Sequence, residues 1–222
     1  MATSPGRLLR ALRRDGPVIF LRKAVDRLRP LVYLRESHIW YGLPVAGERP
    51  RRELPDGFTL RPGTPEDSEH LAGIPGQPGA DGARERLAGS AEMFVVYEGD
   101  RPAFACWIFS ARTPVAAARG GWLELPSGTV CLEDSGTHPD FRGRGLAPAA
   151  WTALADEMAR RGLTTMITKV EEENVSSRRA VVKAGFREGA LMRTHRTGLV
   201  AHVAMSPLPA GGVQFLIEQL AR

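Results

Sequence analysis

Only two cysteines occur in the 222 residues, and their settings exclude several chemistries. Cys106 and Cys131 stand in apolar stretches, with neither CxxC spacing nor a histidine cluster beside them. A disulfide framework and a metal site are therefore disfavoured, and two buried thiols in a reducing, cytoplasmic setting are expected. No run approaches the ~20 apolar residues of a membrane-spanning helix. Val18 to Leu21 is too short for a secretory core, and no cleavage site follows it. Aromatics are scarce at 7%, yet 43% hydrophobic and 25% charged residues describe a chain able to bury a core, not a disordered one. No internal repeat or low-complexity tract is present.

Acidic charge is scarce at one end only. Residues 1–36 hold nine basic and three acidic side chains, a net of +6, whereas the remainder holds 21 and 22, a net of −1. The high pI thus belongs to the N-terminus, and a near-neutral body argues against a nucleic-acid enzyme. In Met1 to Tyr41, Leu8, Leu9, Leu12 and then Leu21, Ala24, Val25 and Leu28 recur near helical spacing among arginines, predicting one or two short helices. Three roles stay open for this stretch. They are an arm packed on its own domain or on a twin subunit in a homodimer, a basic surface for an anionic membrane or an acidic acyl carrier protein, and an organellar targeting peptide. Ile39, Trp40, Tyr41 and Val45 add a strand or cap the core. Gly47 to Pro55, rich in proline and charge, marks the domain boundary, with an extension over 1–50 and the main domain over 51–222.

Cys131 to Gly162 organises the rest. It reads as a strand over Thr129–Thr137, a tight loop over His138–Gly145 and a helix from Leu146 to about Arg161. Gly143 and Gly145 permit unusual dihedrals, and the first amides of the following helix point outward with the positive end of its dipole behind them. That arrangement suits a phosphate or diphosphate, with Arg142 and Arg144 adding charge at the rim. A third spaced glycine and an acidic partner are missing, which excludes a dinucleotide fingerprint. No Gly-Lys-Ser/Thr follows, which excludes a Walker loop. The helix should bury Leu146, Ala150, Leu154 and Met158 and leave Trp151 and Glu157 aside.

Around this unit, Phe58–Arg61 alternates like a strand. Thr64-Pro65-Glu66-Asp67 opens a helix, with Thr64 as the cap and acids in the first turn. Ile74–Gly82 is a Gly/Pro-rich loop, and Ala83–Leu87 is a short helix. Strands are expected at Met93–Tyr97, Pro102–Ser110 and Thr164–Val170, a helix at Val175–Lys183, a hairpin over Ala190–Arg196 and Leu199–Met205, and a closing helix near Val213–Ala221. Such an order is α/β with a mixed, mostly antiparallel sheet flanked by helices.

Arg142, Gly145 and Ala147 fill the first, fourth and sixth places of the acyl-CoA signature Gln/Arg-x-x-Gly-x-Gly/Ala. Downstream, Asn174-Val-Ser-Ser177 and Lys183-Ala-Gly185-Phe186 match Asn-x-x-Ala/Ser and Lys-x-Gly-Phe. Over Gly57 to Pro207 the chain resembles the GNAT N-acetyltransferase superfamily. The resemblance implies the GNAT fold, acetyl-CoA or another acyl-CoA as co-substrate without a metal, and direct transfer to an amine of a small molecule. Backbone amides of Arg142, Gly143, Arg144, Gly145, Leu146 and Ala147 would hold the diphosphate, and Asn174 the pantetheine arm. Gly136 stands where the family has a bulge, so that the Thr137 amide would polarise the thioester carbonyl.

Glu133 and Asp134 are the candidate bases. As strand neighbours they should face opposite sides, so that one reaches the acceptor; the resemblance favours Glu133. The family's usual proton-donating tyrosine would fall at Val181, so Ser177, a water or no acid must serve. His138, His195 and His202 are weaker candidates. Two other readings remain: a GNAT-fold module that binds acyl-CoA or a carrier without catalysis, and a protein N-acetyltransferase.

Overall fold

The structure, a computed structural model, describes residues 33–89, 91–197, 200–208 and 213–220. The elements run in the order β1 (Tyr33–Pro44), β2 (Phe58–Pro62), α1 (Asp67–His70), α2 (Ala80–Ala88), β3 (Ala91–Glu98) and β4 (Arg101–Ser110). There follow β5 (Arg112–Pro114), β6 (Trp122–Glu124), β7 (Thr129–Thr137), α3 (Leu146–Arg160), β8 (Thr165–Glu171), α4 (Val175–Lys183), β9 (Arg187–Thr197), β10 (Val200–Pro207) and α5 (Gln214–Leu220). Eight strands form one sheet in the order β10-β9-β1-β8-β7-β4-β3-β2, with β5 and β6 as a separate ribbon. Every pair in the large sheet is antiparallel except β7 with β8. This is the mixed α/β sheet expected.

The strand foreseen from Ile39, Trp40, Tyr41 and Val45 forms, but it is longer and lies inside the sheet: Tyr33–Pro44 runs between β8 and β9, although one or two helices were expected over Met1 to Tyr41. Trp40, Tyr41 and Leu43 are buried on its two faces, so the β-branched and aromatic run outweighs the helical spacing before it. Residues 47–55 do not separate two domains either. Arg49 pairs with Asp156 at 2.6 Å, and the Arg52 amide and carbonyl both bond the Thr152 hydroxyl, which straps this segment over α3. The boundary expected at residue 50 therefore falls inside the sheet domain. The helices expected over residues 1–32 lie outside the described residues.

Both faces of the sheet are covered. α3 and α4 pack on one, with Phe104, Leu132, Leu154, Met158 and Phe186 among the buried side chains. α1, α2, the β5–β6 ribbon and α5 cover the other, around Trp40, Trp107, Ile167 and Met192. Leu146, Ala150, Leu154 and Met158 form the expected stripe of α3; burying a leucine or methionine contributes about 1.5–3 kcal/mol each. Trp151, expected off that stripe, is also buried. Because α3 lies between the sheet and α4, its apolar face is wide enough to take the indole between Phe104 and Phe186, at 6.3 and 6.4 Å.

Candidate active site

Strands β7 and β8 pair over only four rungs, from Thr129–Thr165 to Leu132–Thr168, and then part. The Thr168 hydroxyl donates to the Leu132 carbonyl at 2.8 Å and closes the last rung. Beyond it β7 carries a bulge. Glu133 faces Trp107 and Gly136 faces Ala105, so three steps on β7 match two on β4. Asp134 takes φ 44°, the left-handed region that aspartate tolerates better than most residues. The bulge expected at Gly136 is thus centred two residues earlier.

That displacement resets the strand's alternation. Glu133 stays on the face of Cys131, where its Oε1 accepts from the Cys131 thiol at 3.3 Å, Thr113 Oγ1 at 3.5 Å and Lys169 Nζ at 2.5 Å. Asp134 turns to the same face and pairs with Arg86 of α2 at 2.7 Å, with the guanidinium over the Trp107 and Phe109 rings. Ser135 faces the other way and accepts from Trp151 Nε1 at 3.2 Å. The two carboxylates were expected on opposite sides; the bulge puts them together, because the extra residue cancels one step of the alternation.

Gly136 is needed for a close approach. A Cβ there would stand 2.3 Å from the Pro75 carbonyl oxygen and 2.7 Å from Ile74 Cγ2. The Gln77 side chain fastens the same loop to the bulge, its Nε2 donating to the Asp134 carbonyl at 2.5 Å and its Oε1 accepting from Trp107 Nε1 at 3.0 Å. Gly136→Ala is therefore expected to cost about 2 kcal/mol or lift residues 74–77. Thermal melts with limited proteolysis of that loop test it, and a variant that melts and digests like the wild type would contradict the close packing.

The amide of His138 bonds the Ala103 carbonyl at 2.9 Å, towards β4. Alternation then turns the Thr137 amide the other way, into the gap that β8 leaves. At the end of β7 a short turn over Pro139–Phe141 leads to Arg142, Gly143, Arg144 and Gly145. Gly143 and Gly145 have φ 79° and 78°, and Gly145 caps α3 in the left-handed conformation. The amides of Gly143, Arg144, Gly145, Leu146 and Ala147 bond no acceptor among the described residues, the first bond of the helix being Ala149 to the Gly145 carbonyl. A Cβ at either glycine would meet nothing within 4 Å, so this row of donors opens to solvent. It fits a diphosphate. Arg142 is exposed and makes no ion pair among the described residues, whereas Arg144 leans to Glu98 at 3.0 Å and over Phe141.

Across the gap, Asn174 caps α4, its Oδ1 accepting from the Ser177 amide at 3.1 Å and the Ser176 hydroxyl at 3.0 Å. Its Nδ2 makes no bond among the described residues. Ser177 is half-buried at the first turn. Val181, one turn on, is 1% exposed within the α3–α4 core and offers no proton. His138 accepts from the Asp140 amide at 3.3 Å beside the loop, while His195 and His202 pair across β9 and β10, away from the gap.

Three nearby groups escaped the sequence reading. Lys169 lies next to Glu133, with Nζ 5.5 Å above the Trp40 ring. Burial pushes its ammonium down, but the Glu133 carboxylate outweighs burial and leaves it above its usual value. Burial lowers His38, also on β1, so that it is neutral at neutral pH, and its buried Nδ1 has no partner among the described residues. The same holds for Trp40 Nε1. None of these carries a local signal, because β1 meets β8 only through pairing across most of the chain.

The model of the acetyltransferase (GNAT) family matches residues 78–186. No curated protein matches the chain. Among solved structures, a GNAT-family protein from Novosphingobium aromaticivorans superposes with a TM-score of 0.52 at 18% identity, over 79% of this chain and 66% of its own. The GCN5-related N-acetyltransferase from Sphaerobacter thermophilus gives 0.52 at 17%, over 80% and 58%. A GNAT-family acetyltransferase from Colwellia psychrerythraea gives 0.51 at 17%, over 74% and 56%. At these identities the likeness is one of fold, and the chain spans less than two thirds of each of these proteins. The matched residues run from the start of α2 to the end of the α4 turn and include the bulge, the open amides and the cap at Asn174; over residues 78–186 the chain matches the GNAT acetyltransferase family.

Proposed function

We propose that this protein is an N-acyltransferase that moves an acetyl or other acyl group from acyl-CoA directly to a primary amine of a small molecule. The family's enzymes are acyl-CoA-dependent transferases. The observation that carries the reading to this chain is the row of unbonded amides from Gly143 to Ala147 at the start of a fifteen-residue helix. Those donors, with Arg142, would hold the diphosphate. The pantetheine arm would then run along the gap between β7 and β8, within reach of Asn174 Nδ2. The Thr137 amide would face the thioester oxygen, where negative charge grows as the amine adds.

The acceptor enters as an ammonium and must lose a proton before its nitrogen can attack. Glu133 is the better of the two carboxylates. Its Oε1 takes all its bonds, and Oε2 takes none among the described residues. Asp134 is engaged by Arg86. Val181 lies in the core, so the departing thiolate takes its proton from water or from Ser177. Glu133→Gln is expected to slow transfer at neutral pH by about 10²–10⁴-fold and to leave coenzyme A affinity nearly intact. An unchanged rate would make the carboxylate structural.

Isothermal titration with coenzyme A, followed by a mass readout of transfer from acetyl-CoA and longer acyl-CoAs to a panel of amines, tests the whole reading. Binding without transfer to any amine would favour an acyl-CoA-binding module. Transfer confined to peptide N-termini would favour a protein N-acetyltransferase. No binding would remove the proposal.

A further inference from the structure

Glu133 and Lys169 occupy the first positions after β7 and β8 part, and both side chains are largely buried, at 9% and 17% exposure. A base must hold one oxygen towards the proton it takes, and a carboxylate there needs an anchor for the other. Two features supply it. The Lys169 ammonium stands 2.5 Å from Oε1. The ammonium is in turn fixed from below by the Trp40 ring, contributed by β1. Trp40 is directly opposite Lys169 in the β1–β8 ladder, so the strand inserted from the N-terminus fixes where the ammonium can sit.

We infer that Lys169, braced by Trp40, is a positioning residue that anchors Oε1 of the Glu133 carboxylate and leaves Oε2 available to the acceptor's ammonium. The inference rests on the acyl-transfer reading above. In the step it supports, an N–H bond of the ammonium breaks and an O–H bond forms at Glu133. The nitrogen lone pair adds to the thioester carbon, and the C–S bond then breaks. The adding nitrogen gives up its second proton, which reaches the thiolate through water, and Glu133 returns its proton to solvent. The other charged or titratable groups around the carboxylate are His38 on β1, Cys131 and Asp134 on β7, and Arg86 on α2, which is tied to Asp134. His38 and Cys131 are held neutral by burial, so Lys169 is the cation in contact with Glu133.

The test is the kcat and KM of wild type, Lys169→Met and Lys169→Arg over a range of pH, with coenzyme A affinity measured beside them. Lys169→Met should lower kcat/KM at pH 7 at least tenfold, mainly through kcat, and hold coenzyme A affinity within twofold. Lys169→Arg keeps a charged donor for Oε1 and should stay close to wild-type turnover. Should Lys169→Met fail to fold, Lys169→Leu makes the same comparison. Wild-type turnover in the variant without a donor overturns the role of Lys169 alone. A wild type that neither binds coenzyme A nor acylates any amine overturns the acyl-transfer reading itself.

Discussion

Replacing Gly143 and Gly145 together by alanine is expected to weaken coenzyme A binding about a hundredfold while binding of pantetheine, which lacks the diphosphate, stays unchanged. Both glycines sit near φ 79°, where an alanine costs roughly 1–2 kcal/mol per position. Neither added Cβ would touch the rest of the protein within 4 Å. Nothing therefore holds the loop in its strained form, and it relaxes instead of bearing the cost. The relaxed loop turns some of the open amides away from the ligand. A hydrogen bond to a charged group is worth about 1.5–3 kcal/mol, so losing one or two accounts for the hundredfold change. Titration calorimetry with the two ligands checks it. Equal weakening for both would mean that the variant damages the fold, and no weakening for either would mean that the diphosphate binds elsewhere.

A comparable effect on stability is expected at Asp67. Both its oxygens accept from Arg61, at 2.8 and 2.9 Å, and it also takes the Tyr97 hydroxyl at 2.5 Å and the Thr64 amide at 2.7 Å. Burial pushes this carboxyl up, but the guanidinium, the phenol and the amide together outweigh burial and hold it well below the usual carboxylate range. The Thr64 hydroxyl accepts from the Asp67 amide in return, so the helix start expected at Thr64 is a reciprocal cap. Asp67→Ala leaves a buried phenol without its acceptor and should cost about 3 kcal/mol, the low end for breaking a buried pair because Arg61 is half exposed. In a domain of this size that lowers the melting temperature by about 6–12 °C.

The sign of the pH dependence follows from the depressed folded value. The carboxylate's contribution is complete above the ordinary aspartate value near ~3.9 and is lost as pH falls through and below it. Wild type should therefore lead Asp67→Asn by most at neutral pH and by progressively less in melts from pH 5 down to pH 2.5. A constant difference across that range would show that the carboxylate's charge contributes nothing.

Much of the site was readable along the chain because the features concerned are local. A loop with two glycines before an apolar helix implies open amides at the helix start, whatever else surrounds it. The signatures at Arg142–Ala147 and Asn174–Phe186 belong to the same class, since each places donors through the geometry of a few consecutive residues. The bulge lies two residues from Gly136, where the resemblance and the glycine's freedom put it. Asp134 leaves the regular strand instead, while Gly136 serves a contact with Pro75 and Ile74 from a loop some sixty positions earlier. Trp151 was misjudged for a related reason: its burial depends on α4 as well as on the sheet.

By itself the sequence determined the strand–loop–helix unit, the α/β order of the body, the row of open amides at residues 143–147 and the lack of a proton donor at Val181. Each depends on backbone preferences or side-chain periodicity within a few residues. Only the tertiary structure decided that the strand over residues 33–44 lies at the centre of the sheet, that Glu133 and Asp134 share a face, and that Lys169 on Trp40 is what Glu133 meets. Those facts depend on which distant strands pair and in what register. Local residue preferences carry almost none of that information; burial of the whole core selects it.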